Sequence, residues 1–200
     1  QLGDTTLGAA ADNVDLASAI ALDGSGNIFL AGYTNGSLGE ANAGNYDAFV
    51  LKLDSNGALD TSFGGGDGIA QLGNVTAGAT ANLSDFVYSI FLDASGNVFI
   101  AGATSGSLGE ANGGDYDAYV AKLDSSGALD TSFGGGDGIT QLGSTTMGTS
   151  ADGAETINAI LIDASGNLFL TGDTTSSLGE PNAGEQDIFI CQLTSSGDAP

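Results

Sequence analysis

Gln1-Leu2-Gly3 recurs as Gln71-Leu72-Gly73 and again as Gln141-Leu142-Gly143, so one register of 70 residues runs through the 200-residue chain without insertion or deletion. A fixed period of this length belongs to stacked copies of one supersecondary unit, because a lone copy has no neighbour against which to bury its apolar faces. The units are 1–70, 71–140 and 141–200, the last one truncated, and they read as one repeat domain spanning 1–200.

Aligning the copies shows four positions where short apolar runs are held. The first is Ser-Ala-Ile-Ala-Leu at 18–22, matched at 89–92 and 159–162; the second is Asn-Ile-Phe-Leu-Ala-Gly at 27–32, matched at 97–102 and 167–172. The third is Asp-Ala-Phe-Val-Leu-Lys-Leu at 47–53, matched at 117–123 and 187–193, and the fourth is Gly-Ile-Ala-Gln-Leu-Gly at 68–73, matched at 138–143. Runs of about five to eight residues rich in Ile, Val, Phe and Leu and bounded by Gly, Asn, Asp or Ser predict strands. The first two runs are apolar at nearly every position, which predicts a sheet covered on both faces. The fold class expected is therefore all-β: three tandem four-stranded antiparallel blades of β-propeller type. Asp-x-Ser-Gly-Asn at 23–27, 93–97 and 163–167 predicts a tight hairpin between the first two strands, since a calcium loop of that start would need a Glu at its twelfth position.

Charge is the most lopsided part of the composition. Asp and Glu number 25 against Lys52 and Lys122 alone, with no His, for a formal net charge of -23. Such a polyanion repels phosphate backbones and anionic lipid surfaces, so nucleic acid is not an expected partner. No apolar run approaches the roughly 20 residues of a membrane helix, so membrane insertion is not expected either. Without His there is no Ser-His-Asp or Cys-His relay, and carboxylates that recur identically in every copy suit structure or multivalent binding better than one asymmetric active site. The chain is expected not to be an enzyme. Cys191 takes the place of Leu51 and Ala121 at an apolar strand position, which predicts a small buried thiol.

Glu40, Asn42 and Asp47 recur as Glu110, Asn112, Asp117 and as Glu180, Asn182, Asp187. Oxygen donors in a glycine-containing loop at this spacing are a candidate calcium site; the same residue types also serve loop geometry, with Asn shaping the turn and Asp accepting backbone N–H bonds. Lys52 and Lys122 are expected to face outward, their stems covering apolar surface.

The segment Ser-Leu-Gly-Glu-Ala-Asn-Ala-Gly-Asn-Tyr-Asp-Ala-Phe-Val-Leu-Lys-Leu at 37–53, preceded by Gly-Asn-Ile-Phe-Leu-Ala-Gly-Tyr-Thr at 26–34 and closed by Gln-Leu-Gly at 71–73, resembles the bacterial β-propeller repeat family labelled SBBP. The insert Ala-Leu-Asp-Thr-Ser-Phe-Gly-Gly-Gly-Asp-Gly at 58–68, repeated at 128–138, is similar to the delta-sixty repeat of bacterial surface proteins. The resemblance implies an extracellular or cell-surface location and no assigned enzymatic activity.

Gln1, Leu2 and Gly3 read as the tail of a fourth strand, while the third copy stops before its own fourth strand. Three blades fall below the roughly four that a closed propeller needs. The expected outcome is an incomplete terminal blade completed by the N-terminal strand within or between molecules, with Gln1, Leu2, Gly3, Ile188, Phe189 and Ile190 as the assembly residues and a second copy of the chain as the partner. The alternatives are a calcium-dependent adhesin or glycan-binding module, and a segment of a larger β-propeller.

Overall fold

In the computed structural model, the described residues are 14–42, 44–73, 83–143, 153–178 and 181–200. They form three antiparallel sheets, two of four strands and one of three. The first runs β1 (Asp15–Leu22), β2 (Ile28–Thr34), β3 (Asp47–Leu53), β4 (Ile69–Leu72) in that spatial order, and the second repeats it with β5 (Asp85–Leu92), β6 (Val98–Thr104), β7 (Asp117–Leu123), β8 (Ile139–Leu142). The third comprises β9 (Glu155–Ile162), β10 (Leu168–Thr174) and β11 (Asp187–Leu193). This is the expected all-β architecture of propeller-type blades, each built from consecutive strands. The cuts at 70 and 140 fall inside β4 and β8. The predicted completing segment, Gln1, Leu2 and Gly3, lies outside the described residues.

The hairpins form as the sequence predicts. Asp23 accepts from the backbone N–H groups of Ser25 and Asn27 and from the Asn27 amide, with Gly26 in the left-handed region at φ 81°, and Asp93 and Asp163 make the same bonds. The aspartate accepts from the N–H groups that the tight turn leaves unpaired, the geometric role expected of it.

The sheets fan out from their first strands. β5 lies against β1, β2 and β3, and β9 lies against β5, β6 and β7. One apolar layer joins Phe29, Ala31, Ala48, Val50, Ala70 and Leu72 of the first sheet to Val98, Ile100, Tyr119, Ala121 and Ile139 of the second. The next repeats the pattern, joining Phe99, Ala101, Ala118, Val120 and Leu142 to Ile157, Ile160, Leu168 and Leu170. Small side chains on one face meet large ones on the other, which lets the two layers close to the density of a protein interior. Burial differs from the expectation in one respect: β3 and β7 are covered at almost every position, whereas β1 is largely exposed. β5 holds the same place in its sheet and is mostly covered because it lies on the first sheet, whereas among the described residues no sheet lies on the outer side of β1.

The 58–68 insert is a latch between blades. Phe63 and Phe133 are fully buried. Gly64 N–H donates to the Ser126 carbonyl at 2.8 Å and Gly134 N–H to the Ser196 carbonyl at 2.9 Å, each bond crossing to the following sheet. A Cβ on Gly127 would sit 2.8 Å from Gly64 N and 3.0 Å from the Phe63 ring, so only glycine allows the insert to seat. Lys52 and Lys122 reinforce the insert from outside, bridging Asp60 at 2.9 Å and Asp130 at 2.7 Å with each ammonium 5.5 Å from the ring of Phe29 or Phe99.

Gly57 and Gly127 have nearly the same φ, 83° and 88°, yet a Cβ on Gly57 meets nothing within 4 Å. Gly57→Ala is expected to cost about 1–2 kcal/mol from the left-handed backbone alone, and Gly127→Ala roughly 1–3 kcal/mol more from overpacking the latch. Chemical denaturation of the two variants checks this; equal losses would remove the latch.

Candidate assembly edge and acidic loops

Each loop between the second and third strands is a hydrogen-bonded module that repeats bond for bond. Thr34, Thr104 and Thr174 accept through Oγ1 from the N–H of Gly36, Gly106 and Ser176, each at 2.9 Å. Ser37, Ser107 and Ser177 accept from the N–H of Asn42, Asn112 and Asn182, each at 3.1 Å. The Asn side chains accept in turn from Gly44, Gly114 and Gly184 N–H. The third carboxylate of each candidate set is likewise engaged: Asp117 Oδ2 accepts from Gly113 N–H at 3.0 Å and Asp187 Oδ2 from Ala183 N–H at 2.7 Å.

A fourth-strand glutamine closes the first two loops. Gln71 accepts from Leu38 N–H at 2.8 Å and donates to the Gly36 carbonyl at 3.2 Å and Asp47 Oδ2 at 2.8 Å. Gln141 does the same with Leu108 N–H, the Gly106 carbonyl and Asp117 Oδ2, at 2.8, 3.0 and 2.8 Å. Both glutamines are buried. Gln-Leu-Gly reads from sequence as a repeat marker, a strand end and an assembly segment, not as a loop clamp; a glutamine held in both complete copies inside a short buried strand was the available signal.

Glu40 is exposed and lines a groove of 660 Å³ with Ser62, Ser126 and the insert glycines. Glu180 lies outside the described residues. Among the described residues no group of three or more His, Cys, Asp or Glu side chains gathers as a metal centre would.

Where blades meet, carboxylates are buried in pairs. Asp85 N–H donates to the Tyr46 carbonyl and Glu155 N–H to the Tyr116 carbonyl, both at 2.7 Å, stitching the first strand of one sheet to the loop of the preceding one. This brings buried Asp85 near buried Asp47, and buried Glu155 near buried Asp117. Thr104 donates to Asp85 Oδ1 at 2.5 Å, while Asp85 Oδ2 and Asp117 Oδ1 are buried with no hydrogen-bond partner, as is the Tyr119 hydroxyl. Burial pushes the Asp85 carboxyl up to about 7, against the Thr104 hydrogen bond and with the Asp47 charge adding to the rise. Glu155 is raised by burial in the same way, its bonds from Ser176 and Thr174 opposing. Sequence reading found Asp47 and Asp117 but missed Asp85 and Glu155, which are acidic residues at the head of an apolar strand.

Of the predicted assembly residues, Ile188 and Ile190 share the outer face of the third sheet and are 87% and 77% exposed. Phe189 points the other way and packs on the second sheet beside Cys191, whose thiol burial pushes up to about 11. Among the described residues β11 pairs only with β10, leaving its other edge open.

Because the folded chain holds the Asp85 proton more tightly than the unfolded chain, whose carboxyl titrates near 3.8, the contribution of Asp85 to stability is fully present below about pH 4 and is lost as pH rises through about 7. Asp85→Asn keeps an acceptor for Thr104 and adds a neutral donor in place of that proton. Its melting temperature is expected to fall less than that of the wild type between pH 4.5 and 7.5; parallel curves would contradict this.

The family model described as beta-propeller repeat (SBBP) matches residues 1–40. A second, described as a beta-propeller domain of unknown function (DUF5122), matches 24–63 and again 94–133, the same stretch of the first and second units from the first hairpin to the latch phenylalanine. No curated protein matches the chain. Two models of propeller repeats falling on sheets that fan as blades leave one description: the chain is a β-propeller repeat protein.

Proposed function

We propose that this chain is a secreted or cell-surface structural protein, not an enzyme, that self-associates head to tail by completing its third blade with a strand from a second copy. One observation carries the reading. Ile188 and Ile190 stand where the first two blades have Ala48, Val50, Ala118 and Val120, all fully buried against the following sheet. The apolar face that the first two blades cover is thus presented uncovered by the third, beside an open strand edge, and such a surface calls for a partner.

The opposite end of the fan offers the complement. Ile20 and Leu22 are 67% and 64% exposed, while their equivalents Ile90 and Leu92 pack against the core that joins the first two sheets and Ile160 is buried in the core that joins the second and third. A second copy that presents its first blade to Ile188 and Ile190 repeats a junction the chain already makes twice. Two copies supply six sheets, within the usual range of about four to eight for a closed ring. The family resemblance supports the extracellular location.

The groove bearing Glu40 favours a second reading, a glycan-binding adhesin using calcium at its acidic loops. Chelation by EDTA would then lower the melting temperature and abolish glycan binding, and an unchanged chain would dismiss the metal.

Light scattering coupled to size exclusion is expected to give a mass of two or more times the 19.5 kDa of the chain. The double variant Ile188→Asp, Ile190→Asp should run at the monomer mass with its thermal transition intact. A wild-type monomer across the micromolar range, or an unaffected variant, would contradict self-association.

A further inference from the structure

Beside the open edge of β11 lies a pocket of 240 Å³ walled by Thr174, Ser176, Leu178, Asp187 and Ile188. Its position in the third blade is the one Gln71 and Gln141 fill in the first two. The groups that bind those glutamines have direct equivalents here: Leu178 N–H for Leu38 and Leu108, the Ser176 carbonyl for Gly36 and Gly106, and the Asp187 carboxylate for Asp47 and Asp117. The loop that carries them is set by the same Thr, Ser and Asn hydrogen bonds in all three copies, the Thr and Ser bonds at equal lengths and the Asn bonds within 0.2 Å, so the pocket is preformed. Among the lining residues Ser176 stands for glycine, Pro181 for Ala41 and Ala111, Ile188 for Ala48 and Ala118, and Ile190 for Val50 and Val120; the Ser176 hydroxyl turns to Glu155, and its carbonyl accepts from Thr174 Oγ1 and the Asn182 amide at 3.2 and 3.4 Å.

We infer that this pocket is a receptor for a glutamine side chain carried by an extended Gln-Leu-Gly segment, and that Gln1-Leu2-Gly3 of a second copy is its occupant. This rests on the self-association reading and gives it a specific contact. Gln1 precedes Asp15 by the same interval as Gln71 precedes Asp85 and Gln141 precedes Glu155. In both described cases the glutamine strand completes one sheet and the acidic residue opens the next sheet packed on it. The sheet that takes Gln1 must therefore adjoin the first blade on its Ile20 and Leu22 face. Among the described residues the third sheet packs on the second and has no such place against the first, so of the sheets described it is the third sheet of a second copy that can take Gln1. The amide is selective because it must accept from one backbone N–H and donate to a carbonyl and a carboxylate at once; a glutamate would offer no donor and would set its charge against Asp187.

The test is titration of a fluorescent Gly-Ile-Thr-Gln-Leu-Gly peptide into the full chain bearing Gln1→Glu, whose own first segment cannot compete. The peptide is expected to bind saturably, and the same peptide with Glu for Gln at least tenfold more weakly. Equal binding of the two, or no binding of the glutamine peptide at millimolar concentration, overturns the receptor even if the wild-type chain associates. Glutamine-selective binding by a chain that stays monomeric in wild-type form sustains the pocket and overturns the second copy as its occupant.

Discussion

No sheet in this chain can bury its own faces, and the stacking of each sheet on the next is what the rest of the structure depends on. The two apolar layers that join the blades use the same positions in the same order, small residues such as Ala31, Ala48 and Ala101 against large ones such as Ile100, Tyr119 and Leu170. A fully buried Leu, Ile or Phe is worth about 1.5–3 kcal/mol, so a layer of this size outweighs any single hydrogen bond in the loops. The loops and inserts then fix how the layers meet. Phe63 and Phe133 seat on glycines of the following blade, and Tyr46 with Tyr116 gives that blade its first backbone bonds.

Polar groups enter this apolar scheme only where the repeat can satisfy them, with one class of exception. The glutamine, threonine, serine and asparagine of the loop module are paired in every copy in which they are described. The carboxylates at the blade junctions are different, since Asp85 and Asp117 each bury an oxygen without a partner. Burying a charge without full pairing costs several kcal/mol, and the chain meets that cost at Asp85 by holding a proton. A chain of net charge -23 thus has junctions that tighten as the medium becomes more acid.

Much of the fold was legible because the sequence carries its own alignment: Asn27, Asn97 and Asn167 mark the start of equivalent strands, and the hairpin aspartates repeat with them. Depth of burial was less legible. β1 reads as apolar as β2, yet it is exposed where its equivalent β5 is covered by the sheet before it, a difference that no single unit encodes. The acidic sets were visible, but their roles were split by the tertiary structure: Asn42 belongs to the loop, Asp47 to the glutamine clamp, and Glu40 to the surface. Asp85 and Glu155 become a site only when one blade meets the next, a contact more than thirty residues away in sequence from Asp47 and Asp117. Ile188 and Ile190 were identified for their place in the strand, while the contrast with Ala48 and Val50 needed coordinates.

The central claim is that a blade is stable only against its neighbour. Circular dichroism of the isolated second unit, residues 85–142, against that of the whole chain tests it most directly. The account predicts an unfolded fragment beside a chain that melts cooperatively; a fragment with the same strand spectrum and its own cooperative transition would contradict it.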